Sequence, residues 1–310
     1  MMRESSLLAR TAAVLLGLLV LVAVFADLLC SHAPLLARTG GRWHVLPAVT
    51  EPARAAALTR ELREQDGFAV WAPVRASPTA KATDDAERHW LGTDDSGRDV
   101  LAQIIFGART LVTTTLGALL VALVVGVPLG AAAGRGNVAD ALLSRTVEWT
   151  GAVPTVVAIA VLHASELVTS TWVVAIALGA LRAAEVARLV RGEVLRVSGT
   201  DFVLAARALG ASPIAVVRRH LAPHLFGPVL VSASLGAAAV VLVEAALSYL
   251  GLGVPGEVPS WGALLGRAGV APTGRLLPGL AIVITTACLA ILAETLEDRL
   301  AARRGGAGRV

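Results

Sequence analysis

Residues 200–223 read Thr200-Asp201-Phe202-Val203-Leu204-Ala205-Ala206-Arg207-Ala208-Leu209-Gly210-Ala211-Ser212-Pro213-Ile214-Ala215-Val216-Val217-Arg218-Arg219-His220-Leu221-Ala222-Pro223. Thr200 and Asp201 suit a helix start, and the helix predicted over 202–209 ends at Gly210, the residue type that most readily takes left-handed backbone. Ser212 can cap a second helix, with Pro213 in the first turn where a missing N–H does no harm. Ile214, Val217 and Leu221 recur at helical spacing and make one apolar stripe, with Arg218, Arg219 and His220 beside it. Pro223 is predicted to limit the second helix at its far end. The stretch is a short helix-Gly-helix knob. Two readings fit it: a segment lying flat on lipid, which its basic residues favour, or a knob offered to a partner in water.

What surrounds the knob decides its setting. The chain has 310 residues, 55% hydrophobic and 16% charged, with a mean hydropathy of +0.71. Soluble domains carry about 25% charge, so most of this chain is not soluble, and it is too apolar to be disordered. A membrane-crossing helix needs about 20 apolar residues. Six spans are predicted, at 9–30, 109–133, 144–164, 167–189, 225–249 and 277–297. The first has basic residues ahead of an apolar core, as a signal peptide does. The core is long, and no small-x-small cleavage site follows Cys30, which favours a retained anchor.

Arginine supplies the orientation. The net charge is +4, and the only lysine is Lys81. Arg188 at the end of span four, and Arg191, Arg196, Arg207, Arg218 and Arg219 between spans four and five, share one side. Arg3, Arg10, Arg135 and the arginines of the tail fall on the same side. By the positive-inside rule that side, with both termini, is cytoplasmic. Basic charge that flanks apolar segments is a topology signal and does not point to nucleic acid. Cys30 and Cys288 are far apart and read as apolar fillers. His32, His44 and His89 are too scattered for a metal site.

Residues 31–108 then form an outer insert. Pro34 to Pro47 reads as two short strands around the Gly40-Gly41 turn. A short polar helix is predicted at 51–65 and loop at 72–88. In His89-Trp90-Leu91-Gly92-Thr93-Asp94-Asp95-Ser96-Gly97-Arg98-Asp99-Val100-Leu101, Thr93 can cap a helix whose first turn holds Asp94 and Asp95. Val100, Leu101, Ile104 and Ile105 would give that helix an apolar face for the membrane surface. The acids lack the alternation and closing glutamate of a calcium loop.

With these stretches in view, 202–210 followed by Arg219-His220-Leu221-Ala222-Pro223 resembles the EAA loop of ABC-transporter permeases, with Leu204 at the glutamate position. Gly92 to Leu101 also matches. So does Glu244-Ala245-Ala246-Leu247-Ser248-Tyr249-Leu250-Gly251-Leu252-Gly253-Val254, with Pro259-Ser260-Trp261-Gly262 after it. Together they resemble the second permease subunit of dipeptide, oligopeptide and nickel importers over residues 85–300. The insert is similar to the long-insert branch that handles oligopeptides and peptide antibiotics of the microcin C kind.

The resemblance implies an all-α polytopic membrane protein with six transmembrane helices in the type I ABC importer permease fold, plus a small mixed periplasmic insert. Its parts would be a cytoplasmic tip and first helix (1–30), the insert with an amphipathic helix (31–108), the permease domain (109–300) with a coupling loop at 191–224, and a cytoplasmic tail (301–310). It implies the bacterial inner membrane. The implied partners are a homologous second permease, two cytoplasmic ATPase subunits that carry the ATP and magnesium, and a periplasmic binding protein. Ala205, Ala206, Gly210, Ser212, Pro213, Ile214, Val217, Leu221 and Pro223 would couple to the ATPase. Gly92, Thr93, Asp94, Asp95, Arg98 and Asp99 form the periplasmic family motif. The chain itself would bind no cofactor and do no chemistry. It has no P-loop, because Lys81 lies between Ala80 and Ala82.

Charges within apolar runs are candidates of their own. Glu244 lies deepest, as a pathway or seam residue or as a helix-packing hydrogen-bond partner. Arg182 with Glu185, and Glu185 with Arg188, are spaced to neutralise each other. Gly117, Gly126, Gly130, Gly236 and Ala237 to Ala239 suit close helix packing. Two other classes stay open: an ion-driven secondary transporter, although no internal repeat is evident, and a membrane anchor or signalling protein whose insert senses a ligand.

Overall fold

The structure is a computed structural model. It describes residues 2–39, 41–64, 68–79, 89–134, 145, 153–267 and 270–307. Four helical stretches are long and apolar enough to cross a membrane: Leu7–Val24, Val100–Ala133, Ala222–Tyr249 and Gly274–Ala302. They lie within α1 (Met2–Val24), α5 (Val100–Ala133), α10 (Ala222–Tyr249) and α12 (Pro272–Ala307). Helix α7 (Thr171–Ser198) is as long as α10 but carries charges along its second half. Helix α6 (Thr155–Ala164) is apolar and short. Most of the rest of the span predicted at 144–164 lies outside the described residues.

The chain divides into two compact units. The first comprises Met1–Leu16, Thr113–Val243 and Ile284–Val310. Small residues let its helices approach backbone to backbone, as the glycine spacing predicts. A Cβ on Gly126 would come within 2.6 Å of the Ala183 carbonyl of α7, and a Cβ on Gly179 of α7 within 2.6 Å of the Ala118 carbonyl. The Gly130 Cα faces the Ala187 carbonyl in the same way. Gly227 of α10 lies under the Leu300 side chain of α12.

The second unit comprises Gly17–Val112 and Glu244–Val283. It holds a three-stranded antiparallel sheet in the order β2-β1-β3, formed by β1 (Leu36–Thr39), β2 (Arg42–Val45) and β3 (Phe68–Val70). The predicted hairpin is present, with Thr39 opposite Arg42 and Leu36 opposite Val45. Helices α3 (Pro47–Thr50) and α4 (Pro52–Glu64) lie between β2 and β3 in the chain. β3 was not foreseen from the sequence. It brings Phe68 edge-on to Trp43, with ring centroids 6.2 Å apart. Cys30 and Cys288 are both free and buried.

Two predicted boundaries are corrected. The helix expected from Thr93 starts at Val100 and runs unbroken to Ala133, so no separate surface helix precedes the second span. Asp99 supplies the cap, its Oδ1 accepting the Ala102 N–H at 2.7 Å. Pro223 does not stop the helix before it. Helix α9 (Pro213–Val216) passes through a π-turn, Val217–Leu221, directly into α10. Proline lacks an N–H, and its ring crowds the carbonyl four residues back. The chain widens by one residue there, so that the Ala222 N–H reaches the Val217 carbonyl.

Candidate functional site

The knob is built on the end of α7. Helix α8 (Asp201–Ala208) follows after Gly199 and Thr200, and Gly210 ends it with φ +83°. A β-carbon is strained at that angle, and only glycine takes it freely. The Thr200 side chain makes no cap bond to α8. Its hydroxyl donates to the Val197 carbonyl at 2.6 Å. Ser212 does cap α9, accepting the Ala215 N–H at 3.3 Å. Phe202 stacks on His224 at the start of α10, with centroids 5.6 Å apart.

Val203, Val216, Leu221 and Leu225 are buried in one cluster with Val190 and Val194 of α7, and Val217 and Ala211 pack against it half-buried. Thus part of the predicted stripe, Leu221 with Val217, is taken up by the chain's own core. The Pro213 and Ile214 side chains lie outside the described residues. The outward apolar surface belongs instead to α8 and its end. Phe202, Leu204 and Leu209 are exposed, Leu209 by 88%. Ala205 is exposed and Ala206 half-buried, while Gly210 and Ser212 are exposed at the turn. Pro223 is exposed within the first turn of α10. Sequence periodicity did not single out Leu209 or Phe202; the only local signal was an apolar residue directly before the helix-ending glycine.

In the second unit, residues 92–99 fold into a turn around one carboxylate. Gly92 and Gly97 both take φ +76°. Asp94 has a fully buried side chain. Its Oδ1 accepts the N–H groups of Ser96 and Arg98 at 3.0 and 2.9 Å. Its Oδ2 accepts Arg98 Nε at 3.0 Å, Gln103 Nε2 at 3.1 Å and Arg267 Nη1 at 3.3 Å. Arg267 also donates to Gln103 Oε1. Burial pushes the Asp94 carboxyl up, but the Arg98 N–H, Gln103 and the Arg98 guanidinium outweigh it and hold the group below its ordinary value. Thr93 pairs with Asp99 across the turn, and Asp99 also holds His89 at 2.7 Å. Asp95 is an exposed turn residue. No local pattern in the sequence pointed to Gln103 or Arg267 as partners of this motif.

Glu244 is 1% exposed. Its Oε1 accepts the hydroxyls of Ser248, at 2.8 Å, and Ser260, at 2.9 Å. Ser248 lies one turn further along α10, and Ser260 lies directly before Trp261. Nearby, Trp261 heads α11 (Trp261–Gly266) and is buried. Among the described residues no group of three or more His, Cys, Asp or Glu side chains is placed to hold a metal ion.

The chain belongs to the family described as binding-protein-dependent transport system inner membrane component, whose model matches residues 126–306, more than half of the sequence and all of the knob. As a transport component it is not an enzyme. It is 32% identical to the dipeptide transport system permease protein DppC of Alkalihalophilus pseudofirmus, over 75% of this chain and 80% of that protein. It is 35% identical to the oligopeptide transport system permease protein OppC of Bacillus subtilis, over 57% of this chain and 58% of that one. It is 33% identical to the glutathione transport system permease protein GsiD of Pectobacterium atrosepticum, over 68% and 72%.

Proposed function

We propose that this chain is the permease subunit of an ATP-driven importer of peptides and forms half of its transmembrane pathway. Relatives named for dipeptide, oligopeptide and glutathione transport support the cargo class. In this reading the chain crosses the bacterial inner membrane six times, α6 and α7 adding to the four apolar stretches. Both termini and the knob are cytoplasmic, and residues 31–108 are periplasmic. A second, homologous permease completes the pathway. Two ATPase subunits hold the ATP and magnesium, and a periplasmic binding protein delivers the cargo.

The observation that carries the reading is the exposed apolar face of α8, ending at Leu209, on a knob anchored by the Val203–Val216–Leu221 cluster. Exposed apolar surface on an element anchored in the core is what a protein partner buries. The test is ATP-dependent peptide uptake by the complete importer in proteoliposomes, combined with crosslinking from Leu209→Cys. Uptake together with crosslinks to the ATPase supports the assignment. Crosslinks to phospholipid alone, or uptake that proceeds without ATP, would overturn it.

A further inference from the structure

Two hollows lie within the first unit, and the same charged side chains border both. The smaller, about 110 Å³, is walled by Leu178 and Leu181 of α7 and by Val240 and Val243 of α10. The larger, about 830 Å³, lies between Gly192 of α7, Pro228 and Ser232 of α10, and Glu297 and Leu300 of α12. Arg182, Glu185 and Arg188 of α7, with Ala239 of α10, line the one and the other. They therefore stand where the two hollows adjoin.

The three charges are held differently. Arg182 Nη1 donates to Glu185 Oε2 at 2.8 Å. The same guanidinium lies across α10 at Gly236, where a Cβ would come within 2.9 Å of Nη2. The bare glycine backbone is thus the seat of this arginine. Arg188 is exposed and makes no ion pair among the described residues. The three positions form a stripe with a net charge of +1 inside a helix otherwise apolar at that level. Glu185 and Arg188 are exposed, so water or a polar cargo can reach them. A hollow of this larger size lies in the range of ligand pockets, roughly 300–1,000 Å³.

We propose that Arg182, Glu185 and Arg188 form a charged constriction between the two hollows that reads the termini of a zwitterionic peptide, a deepening that rests on the importer reading above. A cargo carboxylate fits the fork of Arg182 or of Arg188. A cargo ammonium replaces Arg182 as the partner of Glu185. The exchange breaks one ion pair and forms two, so the constriction passes a molecule carrying both charges more readily than one with a blocked end.

The complete importer in proteoliposomes tests this with a dipeptide, its N-acetyl form and its C-terminal amide. Wild-type protein is expected to favour the free dipeptide. Arg188→Gln is expected to narrow the preference over the amide about fivefold, and Glu185→Gln the preference over the acetyl form. Unchanged preferences in both variants would overturn the proposal. A second measurement does not depend on cargo. In a background without the native cysteines, Val243→Cys marks the small hollow and Ser232→Cys the large one. Relative to their rates with a free thiol, anionic sulfonatoethyl methanethiosulfonate should be favoured over the cationic trimethylammonium reagent at both positions. Arg188→Gln should weaken that bias at both, because Arg188 lines both hollows. A bias insensitive to Arg188 at both positions overturns the constriction. If wild type imports no peptide while the thiol bias holds, the cargo class fails and the constriction stands.

Discussion

Trp261 closes over Gly107. A Cβ on that glycine would lie 2.6 Å from the indole Cδ1, and the indole N–H donates to the Ile104 carbonyl one turn earlier at 2.9 Å. The helix that begins at Val100 is thereby fastened to the segment that follows α10 in the chain. Gly107→Val should force the indole out of place. Overpacking of this kind costs about 1–3 kcal/mol, read as a lower Tm of the detergent-purified protein. Trp261→Phe in the same background should recover part of the loss by vacating the space.

Asp94 collects two guanidinium groups, an amide and two backbone N–H groups on one buried carboxylate. Asp94→Asn leaves Arg98 and Arg267 without their shared counter-charge. Removing one partner of a buried pair costs about 3–5 kcal/mol, discounted here because both arginines are partly exposed. The acid dependence has a definite sign. The folded-state value lies below the ordinary one, so the contribution is complete above about pH 4 and fades as the pH falls through the folded-state value. Thermal unfolding between about pH 3 and 7 should show an acid loss that Asp94→Asn abolishes.

The two serine hydroxyls on Glu244 separate its two candidate roles. Glu244→Gln keeps a carbonyl oxygen for both and should leave Tm and uptake close to wild type. Glu244→Leu strands both hydroxyls, at about 1–3 kcal/mol for each buried group left unsatisfied. A Gln variant that folds normally yet fails to transport would move Glu244 from packing to the pathway.

At the knob, Leu209→Asp should leave Tm unchanged, because the side chain touches little of its own chain. The same change should lower co-purification of the ATPase subunits and peptide-stimulated ATP hydrolysis. Gly210→Val strains a turn with φ +83° and should uncouple hydrolysis from uptake while membrane insertion continues. Normal uptake in both variants would count against a coupling role.

Local signals were legible and distant ones were not. The hairpin at 36–45 follows from a two-glycine turn, the Ser212 cap from its neighbours, and the Arg182–Glu185 pair from helical spacing. Thr93-Asp94 was ambiguous because a carboxylate that can cap a helix can equally close an Asx turn on Ser96 and Arg98, as Asp94 does. The stripe of Val217 and Leu221 announced an apolar face but not what would cover it, and the chain's own valines cover it. Arg267 lies 173 residues from Asp94, and no periodicity reaches that far.

The π-turn at 217–221 removes the joint that Pro223 would otherwise have imposed. Helix α10 then continues for 28 residues with Pro228 inside it, about 42 Å in all, its start rooted at the apolar cluster under α8. Within the first unit the helix runs on to Val243, about 33 Å from its start, and a rotation of about 5° at the root displaces that point by about 3 Å. Thus the residue that looked like a stop in the sequence is the one whose accommodation lets a nudge at one end be felt at the other.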